Sequence, residues 1–222
     1  MAVYLLDDEL WFPDPHEGEP DGWVAVGGDL SVERLLLAYS AGFFPWYAVH
    51  FDDQPHWYCP LQRFVIFPNE IHISHSMKKL LRKGQYEVSF NRDFKGVIRG
   101  CSKVDNRDKQ EGAWLAGPMI KAYTDLHKLG YAVSVEVWER NGNTRRLVGG
   151  MYGLFLHKAF FGESMFSLVP SASKIALIAL AQRLEAIGGS FIDCQFETPH
   201  LKSMGGRYIT YEEYMQFING EI

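Results

Sequence analysis

The sequence predicts an α+β fold in which helices flank a mixed β-sheet. From about residue 61 onwards, short apolar segments typical of strands intermix with longer segments that have a helical pattern, and there is no internal repeat or low-complexity tract. The segments predicted as strands are 63–67, 86–90, 132–138 and 190–196, together with a hairpin whose two strands contain 149–153 and 160–167 and whose loop is 156–159.

The ends of the predicted helices carry residues that commonly start or stop a helix. Ser31 precedes the helix 32–41 and Gly42 follows it. Pro118 opens a helix that runs to Leu129. The other predicted helices are 74–83, one through Phe94, Val97 and Ile98 with Asn91 as its cap, 175–187 with Ser171 as its cap, and two short helices at the C-terminal end.

The first 60 residues differ in composition from the rest of the chain. They are rich in Pro, Gly, Asp and aromatic residues, and they contain one clear helix. The aromatic residues at 43–47 and 57–58 either cover the core of the following domain or form a stacking platform for a planar ligand. We therefore predict a small N-terminal domain, residues 1–60, and a larger domain, residues 61–222.

Composition and charge exclude several classes of protein. Hydrophobic residues make up 47% and charged residues 22% of the 222 residues, as in globular proteins that fold in water. No apolar run approaches the ~18 residues that span a bilayer, and we expect no signal peptide. The 3 cysteines form no CxxC pair, which favours a reduced, cytoplasmic protein. With a net charge of -5, binding of a nucleic acid would require a local basic patch.

One carboxylate stands within the strongly apolar hairpin. Glu163 is flanked by Phe161, Met165 and Phe166. Burial would remove its hydration, and a buried charge needs a partner. The alternative is an ordinary core hairpin in which this side chain points to solvent.

A second candidate site lies on the segment 190–196. Side chains alternate along a strand, so Asp193 and Gln195 are expected on one face. Asp193 would then accept a hydrogen bond from the Gln195 carboxamide and fix its orientation, leaving the amide oxygen free to accept from an amine. The alternative is the solvent-facing side of an edge strand.

A basic helix supplies the candidate nucleic-acid patch. Lys78, Lys79, Arg82 and Lys83 lie close together on the helix 74–83, where they favour phosphate contact or simply a solvated face. No set of His and Cys residues has complete zinc spacing, so we expect no metal site.

Eight motifs, taken in order, resemble the leucyl/phenylalanyl-tRNA–protein transferase family, over about residues 10–205. The motifs are Gly27-Gly28-Asp29-Leu30, Gly42-Phe43-Phe44-Pro45-Trp46, His72-Ile73-Ser74, Glu111-Gly112-Ala113-Trp114, Val148-Gly149-Gly150-Met151-Tyr152-Gly153, Gly162-Glu163-Ser164-Met165-Phe166-Ser167, Ala172-Ser173-Lys174 and Ile192-Asp193-Cys194-Gln195.

The resemblance implies a cytoplasmic, monomeric enzyme without a cofactor, whose C-terminal domain has a GCN5-related N-acetyltransferase-like fold. It implies transfer of Leu or Phe (also Met) from aminoacyl-tRNA to the N-terminal Arg or Lys of acceptor proteins, which marks them for degradation. It further implies that the catalytic residues are Asp193, Gln195 and Glu163, and that the residues holding the 3′ adenosine are Trp46 and Trp114. The pocket for the transferred side chain would be lined by Met151, Phe160, Met165, Leu180 and Ile192. The tRNA would be bound by Lys78, Lys79, Arg82 and Lys83.

Two other functions stay open on the sequence alone. A coenzyme-A-dependent N-acetyltransferase of the same fold would need a Gly-rich pyrophosphate loop, but the segment Ser171-Ala172-Ser173-Lys174 lacks it. A non-catalytic RNA-binding adaptor would use the basic helix and exposed tryptophans. It would leave the grouping of Asp193, Gln195 and Glu163 without a role.

Overall fold

Two β-sheets organise the computed structural model, which describes residues 2–47, 54–103, 115, 117–142 and 144–221. The first sheet has 4 strands in the order β1-β2-β4-β3, and the second has 7 strands in the order β11-β5-β10-β9-β8-β7-β6. The strands are β1 (Tyr4–Leu6), β2 (Trp23–Gly27), β3 (Phe44–Tyr47), β4 (Pro55–Tyr58), β5 (Gln62–Ile66), β6 (Tyr86–Phe90), β7 (Ala132–Asn141), β8 (Thr144–Leu156), β9 (Ala159–Ser167), β10 (Ile192–Asp193) and β11 (Arg207–Thr210).

The described helices connect and flank these strands. Besides two 3-10 helices, at Pro15–Glu17 and Pro68–Glu70, they are α1 (Val32–Ser40), α2 (His75–Arg82), α3 (Phe94–Ser102), α4 (Gly117–Lys128), α5 (Ala172–Ala186), α6 (Pro199–Ser203) and α7 (Tyr211–Asn219).

The larger sheet is mixed. Strands β6 to β9 form an antiparallel meander, whereas β10 runs parallel to β9 and antiparallel to β5. The turn between β8 and β9 places His157 and Lys158 at φ 50 and φ 62, which suits a tight hairpin. The predicted α+β class, the mixed sheet with flanking helices and the central hairpin are confirmed.

Each face of the larger sheet has its own apolar core. One core contains buried residues of α1, α3, α4 and α7, and the other contains most of α5 with Met77 of α2 and Leu201 of α6. Neighbouring residues of one strand divide between the two cores, as Phe161 and Phe160 of β9 do. We call these sides the α1 face and the α5 face.

The structure corrects several local predictions. Residues 1–60 contain the whole first sheet besides the predicted helix, and β11 forms where no strand was predicted. Asp93, not Asn91, caps α3 through a hydrogen bond from Gly96 N to its carboxylate. Ser171 lies at φ 70 and its side chain makes no capping bond to α5.

The first sheet lies within residues 4–58 and the second begins at Gln62. The division into domains 1–60 and 61–222 stays a prediction. In the described part of the chain, no helix combines the length and hydropathy that a bilayer crossing requires.

Candidate active site

The larger sheet has a gap beside one end of β9. Strand β10 pairs with β9 only through Ile192 beside Phe160 and Asp193 beside Phe161. Strand β9 continues to Ser167, and no described strand pairs with it on that side beyond Phe161. We call the unpaired side of β9 from Gly162 to Ser167 the sheet gap.

The gap exists because the chain turns sharply after Asp193. The Asp193 Oδ1 atom accepts a hydrogen bond from the main-chain N of Gln195 at 2.9 Å, and Gln195 lies at φ 58 in the left-handed region. A side chain that bonds the backbone two residues later replaces strand pairing with a turn. The main-chain O of Gln195 in turn accepts from Phe64 N of β5 at 3.3 Å.

This turn corrects the predicted arrangement of Asp193 and Gln195. The predicted strand 190–196 is reduced to Ile192–Asp193, so the two side chains do not share a strand face. Asp193 holds the main chain of Gln195 instead of its carboxamide. The half-buried Gln195 side chain is therefore positioned through its backbone.

Asp193 is buried and its charge is balanced locally. Its Oδ2 atom lies 3.2 Å from Arg63 Nε and accepts from the Tyr214 hydroxyl at 3.0 Å. Arg63 also donates to the main-chain O of Gly42 and stacks over the rings of Phe44 and Tyr214, with its Cζ atom 4.9 Å and 4.8 Å from the ring centroids.

Arg63 is a site residue that the sequence analysis missed. Burial by itself would lower the pKa of its guanidinium, but the Asp193 carboxylate holds the pKa above its ordinary value. The only sequence signal was a charged residue at the start of the apolar strand 63–67.

Glu163 sits at a bulge of β9 beside the gap. Tyr152 of β8 pairs with Ser164 and Gly153 pairs with Gly162, so Glu163 is the extra residue. A bulge re-aims its side chain, here towards the α1 face. The Oε1 atom accepts from the Tyr39 hydroxyl of α1 and the Oε2 atom from the Tyr123 hydroxyl of α4, each at 2.6 Å.

These contacts set the ionisation of Glu163. Burial raises the pKa of its carboxyl to about 7, against the lowering effect of the Tyr123 and Tyr39 hydrogen bonds. The nearby Asp193 carboxylate raises it further, whereas Arg63 lowers it. The carboxyl group therefore changes charge near neutral pH.

An apolar cluster lies on the opposite side of the sheet. Met151 pairs with Met165 across β8 and β9, and Ile192 pairs with Phe160 across β10 and β9. Both pairs belong to, or pack against, the core of the α5 face, as does Leu180 of α5. The structure thus brings the five predicted pocket residues together, although on the face opposite Glu163 and Asp193.

One of the two predicted adenosine-binding tryptophans can be located. Trp46 of β3 is partly buried, and its ring centroid lies 5.9 Å from Tyr58 and 6.0 Å from Phe196, the residue after Gln195. Trp114 lies outside the described residues.

The predicted basic patch is an exposed face of α2. Ser74 caps the helix through Met77 N, and Met77 and Leu80 anchor it to the core of the α5 face. No acidic side chain in the described part of the chain forms an ion pair with the exposed cations, which are Lys78, Lys79, Arg82 and Lys83.

Two models of one protein family match this chain. The family model described as leucyl/phenylalanyl-tRNA protein transferase matches residues 65–219, and the model of the N-terminal domain of the same family matches residues 28–61. Relatives named leucyl/phenylalanyl-tRNA–protein transferase include one from Thermodesulfovibrio yellowstonii, 47% identical over 92% of this chain and 81% of its own length. Another, from Syntrophotalea carbinolica, is 46% identical over 98% of this chain and 92% of its own.

Among solved structures, L-PGS from Bacillus licheniformis aligns with a TM-score of 0.42 and 13% identity, over 78% of this chain and 52% of that one, which is too loose to bear on function. The family models and these two relatives show the family of this chain. The chain belongs to the leucyl/phenylalanyl-tRNA protein transferase family, a family of aminoacyltransferases.

Proposed function

We propose that this chain transfers Leu or Phe, and also Met, from aminoacyl-tRNA to the N-terminal Arg or Lys of acceptor proteins, which marks them for degradation in the cytoplasm. The observation that carries the proposal is the sheet gap, which lies between Glu163 at the bulge of β9 and the turn that follows Asp193, beside the apolar cluster of the α5 face. An ester bound at this gap would place its side chain among these apolar residues and its carbonyl near Glu163 and Gln195.

The apolar cluster would form the pocket that selects the amino acid. It consists of Met, Leu, Ile and Phe side chains, and the two methionines would adapt to unbranched or aromatic groups. We expect a pocket opened within this cluster to exclude a side chain branched at Cβ, whereas one methylene alone discriminates by only ~1–3 kcal/mol. Leu, Phe and Met all lack branching at Cβ.

The tRNA would be held at two places. Trp46, beside Tyr58 and Phe196, offers a face on which the terminal adenosine stacks. The basic patch of α2 would contact backbone phosphates farther along the acceptor stem.

Catalysis would rest mainly on placement, because an aminoacyl ester is already activated and needs no cofactor. An α-amine has a pKa of ~7.7–8, so part of it is neutral at pH 7. The Gln195 carboxamide oxygen binds the incoming amine, with its backbone fixed by Asp193. Since Arg63 balances Asp193, Glu163 is, among the described site residues, the carboxylate available to the acceptor amine.

The deciding experiment measures transfer of labelled Phe from Phe-tRNA to a peptide that begins with Arg. We expect turnover with Arg- or Lys-initiated peptides, and little with an Asp-initiated peptide or with Ile-tRNA. Gln195→Ala should lower the transfer rate at least about tenfold while the Kd for Phe-tRNA stays unchanged. Binding of Phe-tRNA without any turnover would favour the RNA-binding adaptor, and binding of acetyl-CoA in calorimetry would favour the acetyltransferase.

A further inference from the structure

Glu163, Tyr39 and Tyr123 form a closed ring of oxygen contacts. The two tyrosine hydroxyls lie 2.6 Å from Glu163 Oε1 and Oε2, and they also lie 2.6 Å from each other. We call these groups the oxygen ring. Every one of its contacts is short enough to require a shared hydrogen.

Counting hydrogens shows that the oxygen ring is one proton short when Glu163 is ionised. The two phenols supply two hydrogens, and both are donated to the carboxylate, so the contact between Tyr39 and Tyr123 has none. When Glu163 is protonated, the carboxyl donates to one phenol, that phenol donates to the other, and the second phenol donates back. Each contact then has one hydrogen.

In the described part of the chain, titratable groups on three neighbouring strands act on the oxygen ring. Asp193 of β10 and Arg63 of β5 act on Glu163 with opposite signs, and Tyr152 of β8 acts on both phenols. Burial holds the pKa of both phenols well above the ordinary value, so they remain protonated near pH 7. Glu163 is therefore the member of the oxygen ring that gains and loses a proton there.

We propose that the oxygen ring carries a proton from the attacking amine to the leaving 3′-oxygen of the tRNA, with Glu163 as the catalytic residue and Tyr39 and Tyr123 as positioning residues. This role rests on the proposed function. The bulge places Glu163 at the sheet gap, and each of its carboxylate oxygens keeps a second lone pair for the amine.

The step balances without a further reactant. The neutral α-amine attacks the ester carbonyl carbon, a C–N bond forms and the nitrogen becomes cationic. Ionised Glu163 takes one proton from that nitrogen, which closes the oxygen ring. The tetrahedral intermediate then collapses, the C–O bond to the ribose 3′-oxygen breaks, and Glu163 returns the proton to that oxygen. The products are an amide and a free 3′-hydroxyl, and Glu163 is ionised again.

The test compares Glu163→Gln with the wild-type chain. A carboxamide N–H replaces the third hydrogen, so this variant keeps a closed ring and its fold but takes up no proton. We expect kcat to fall about 100-fold with an unchanged KM for Phe-tRNA. After correction for the neutral fraction of the acceptor amine, wild-type kcat/KM should still fall below about pH 7, and Glu163→Gln should show no such fall.

Tyr39→Phe supplies an independent measurement. The Tyr39 hydroxyl lowers the pKa of Glu163. Its removal should therefore shift the acid limb of kcat/KM, which is the decrease at low pH, to a pH about one unit higher. The carboxyl ¹³C shift of Glu163 should titrate at the same raised pH. Tyr211→Phe, which removes a hydroxyl bonded to the main-chain O of Ala41, is the matched control and should move neither quantity.

Two results would overturn the proposal while transfer itself is observed. One is an acid limb that persists in Glu163→Gln, and the other is a ¹³C titration that moves in Tyr39→Phe without the acid limb. If the wild-type chain transferred nothing, the proposed function would fail and the role of the oxygen ring would fail with it.

Discussion

Arg63 and Asp193 are both buried, so each charge depends on the other in place of water. Replacing Arg63 with Met keeps much of the apolar contact with Phe44 and Tyr214 but leaves the Asp193 carboxylate unpaired. We expect the free energy of unfolding to fall by about 3–5 kcal/mol, measured by urea denaturation. The double variant Arg63→Met with Asp193→Asn should recover part of this loss, and equal stability of the two variants would contradict a charge-based explanation.

Glu163 should make the stability of the protein depend on pH. Its pKa is 4.5 in the unfolded chain and about 7 in the fold, so the folded state binds the proton more tightly. This contribution to stability is complete below pH 4.5 and is lost as the pH rises through 7. Glu163→Gln should therefore be more stable than the wild type above pH 7, by at most about 3 kcal/mol, and equally stable near pH 4.5. Thermal unfolding at both pH values checks this, and a constant difference would contradict it.

The sequence predicts what a side chain needs when that need depends only on the side chain and its neighbours in the chain. The apolar neighbours of Glu163 indicate that its carboxylate needs partners. They do not identify those partners, because Tyr39 is 124 residues and Tyr123 40 residues away in the chain. The same limit applies to Arg63 and Tyr214, which the fold brings to Asp193. Only the fold determines which distant groups share a site.

The start and end of a helix or strand could be predicted where the residues at that position determine them. The start of α1 follows from Ser31, whose hydroxyl accepts from the main-chain N of Arg34 one turn later. Ser74 does the same for α2, although the predicted helix 74–83 included it. The segment 190–196 has the composition of a strand, yet the Asp193 carboxylate competes for the backbone and ends β10 after Asp193. The active-site turn is therefore the place where the local pattern misleads.

The exposed face of α2 makes a prediction about salt. Lys79→Glu with Arg82→Glu removes two candidate phosphate contacts, so the slope of log K against log salt for Phe-tRNA should become shallower by about two. Lys95→Glu with Arg99→Glu on α3 changes the net charge equally on the α1 face and serves as the control. In filter binding, the rise in Kd between 50 and 200 mM salt should be smaller for the α2 variant than for the α3 variant, by a factor on the order of 10. Equal effects would show that α2 acts only through the net charge.

At the scale of the whole molecule, the first sheet was missed although the fold class was correct. Its strands have only three to five residues, and β3 and β4 contain proline. Their pairing depends on partners far along the chain, such as Tyr4 beside Ala25 and Trp23 beside Tyr58. The larger sheet was easier to predict because its hairpin strands are long and joined by a tight turn.

The apolar core of the α1 face joins the two sheets into one structure. It contains Val24 and Trp57 of the first sheet together with Phe94, Met119 and Tyr214 of the later chain. The N-terminal residues also complete the site, since Tyr39 bonds Glu163 and the main-chain O of Gly42 accepts from Arg63. A chain that begins at residue 61 would expose this core to water and lose both contacts.

We therefore expect the full chain to unfold in one calorimetric transition whose calorimetric and van't Hoff enthalpies agree. The chain that begins at residue 61 should bind an apolar dye, lack a cooperative transition and transfer no Phe, because hydrophobic burial across the α1 face is shared between the two parts. Tyr39→Phe in the full chain should still unfold in one transition, which separates loss of one contact with Glu163 from loss of the core. Two separate transitions, or cooperative unfolding of the shortened chain, would instead support residues 1–60 and 61–222 as independently stable domains.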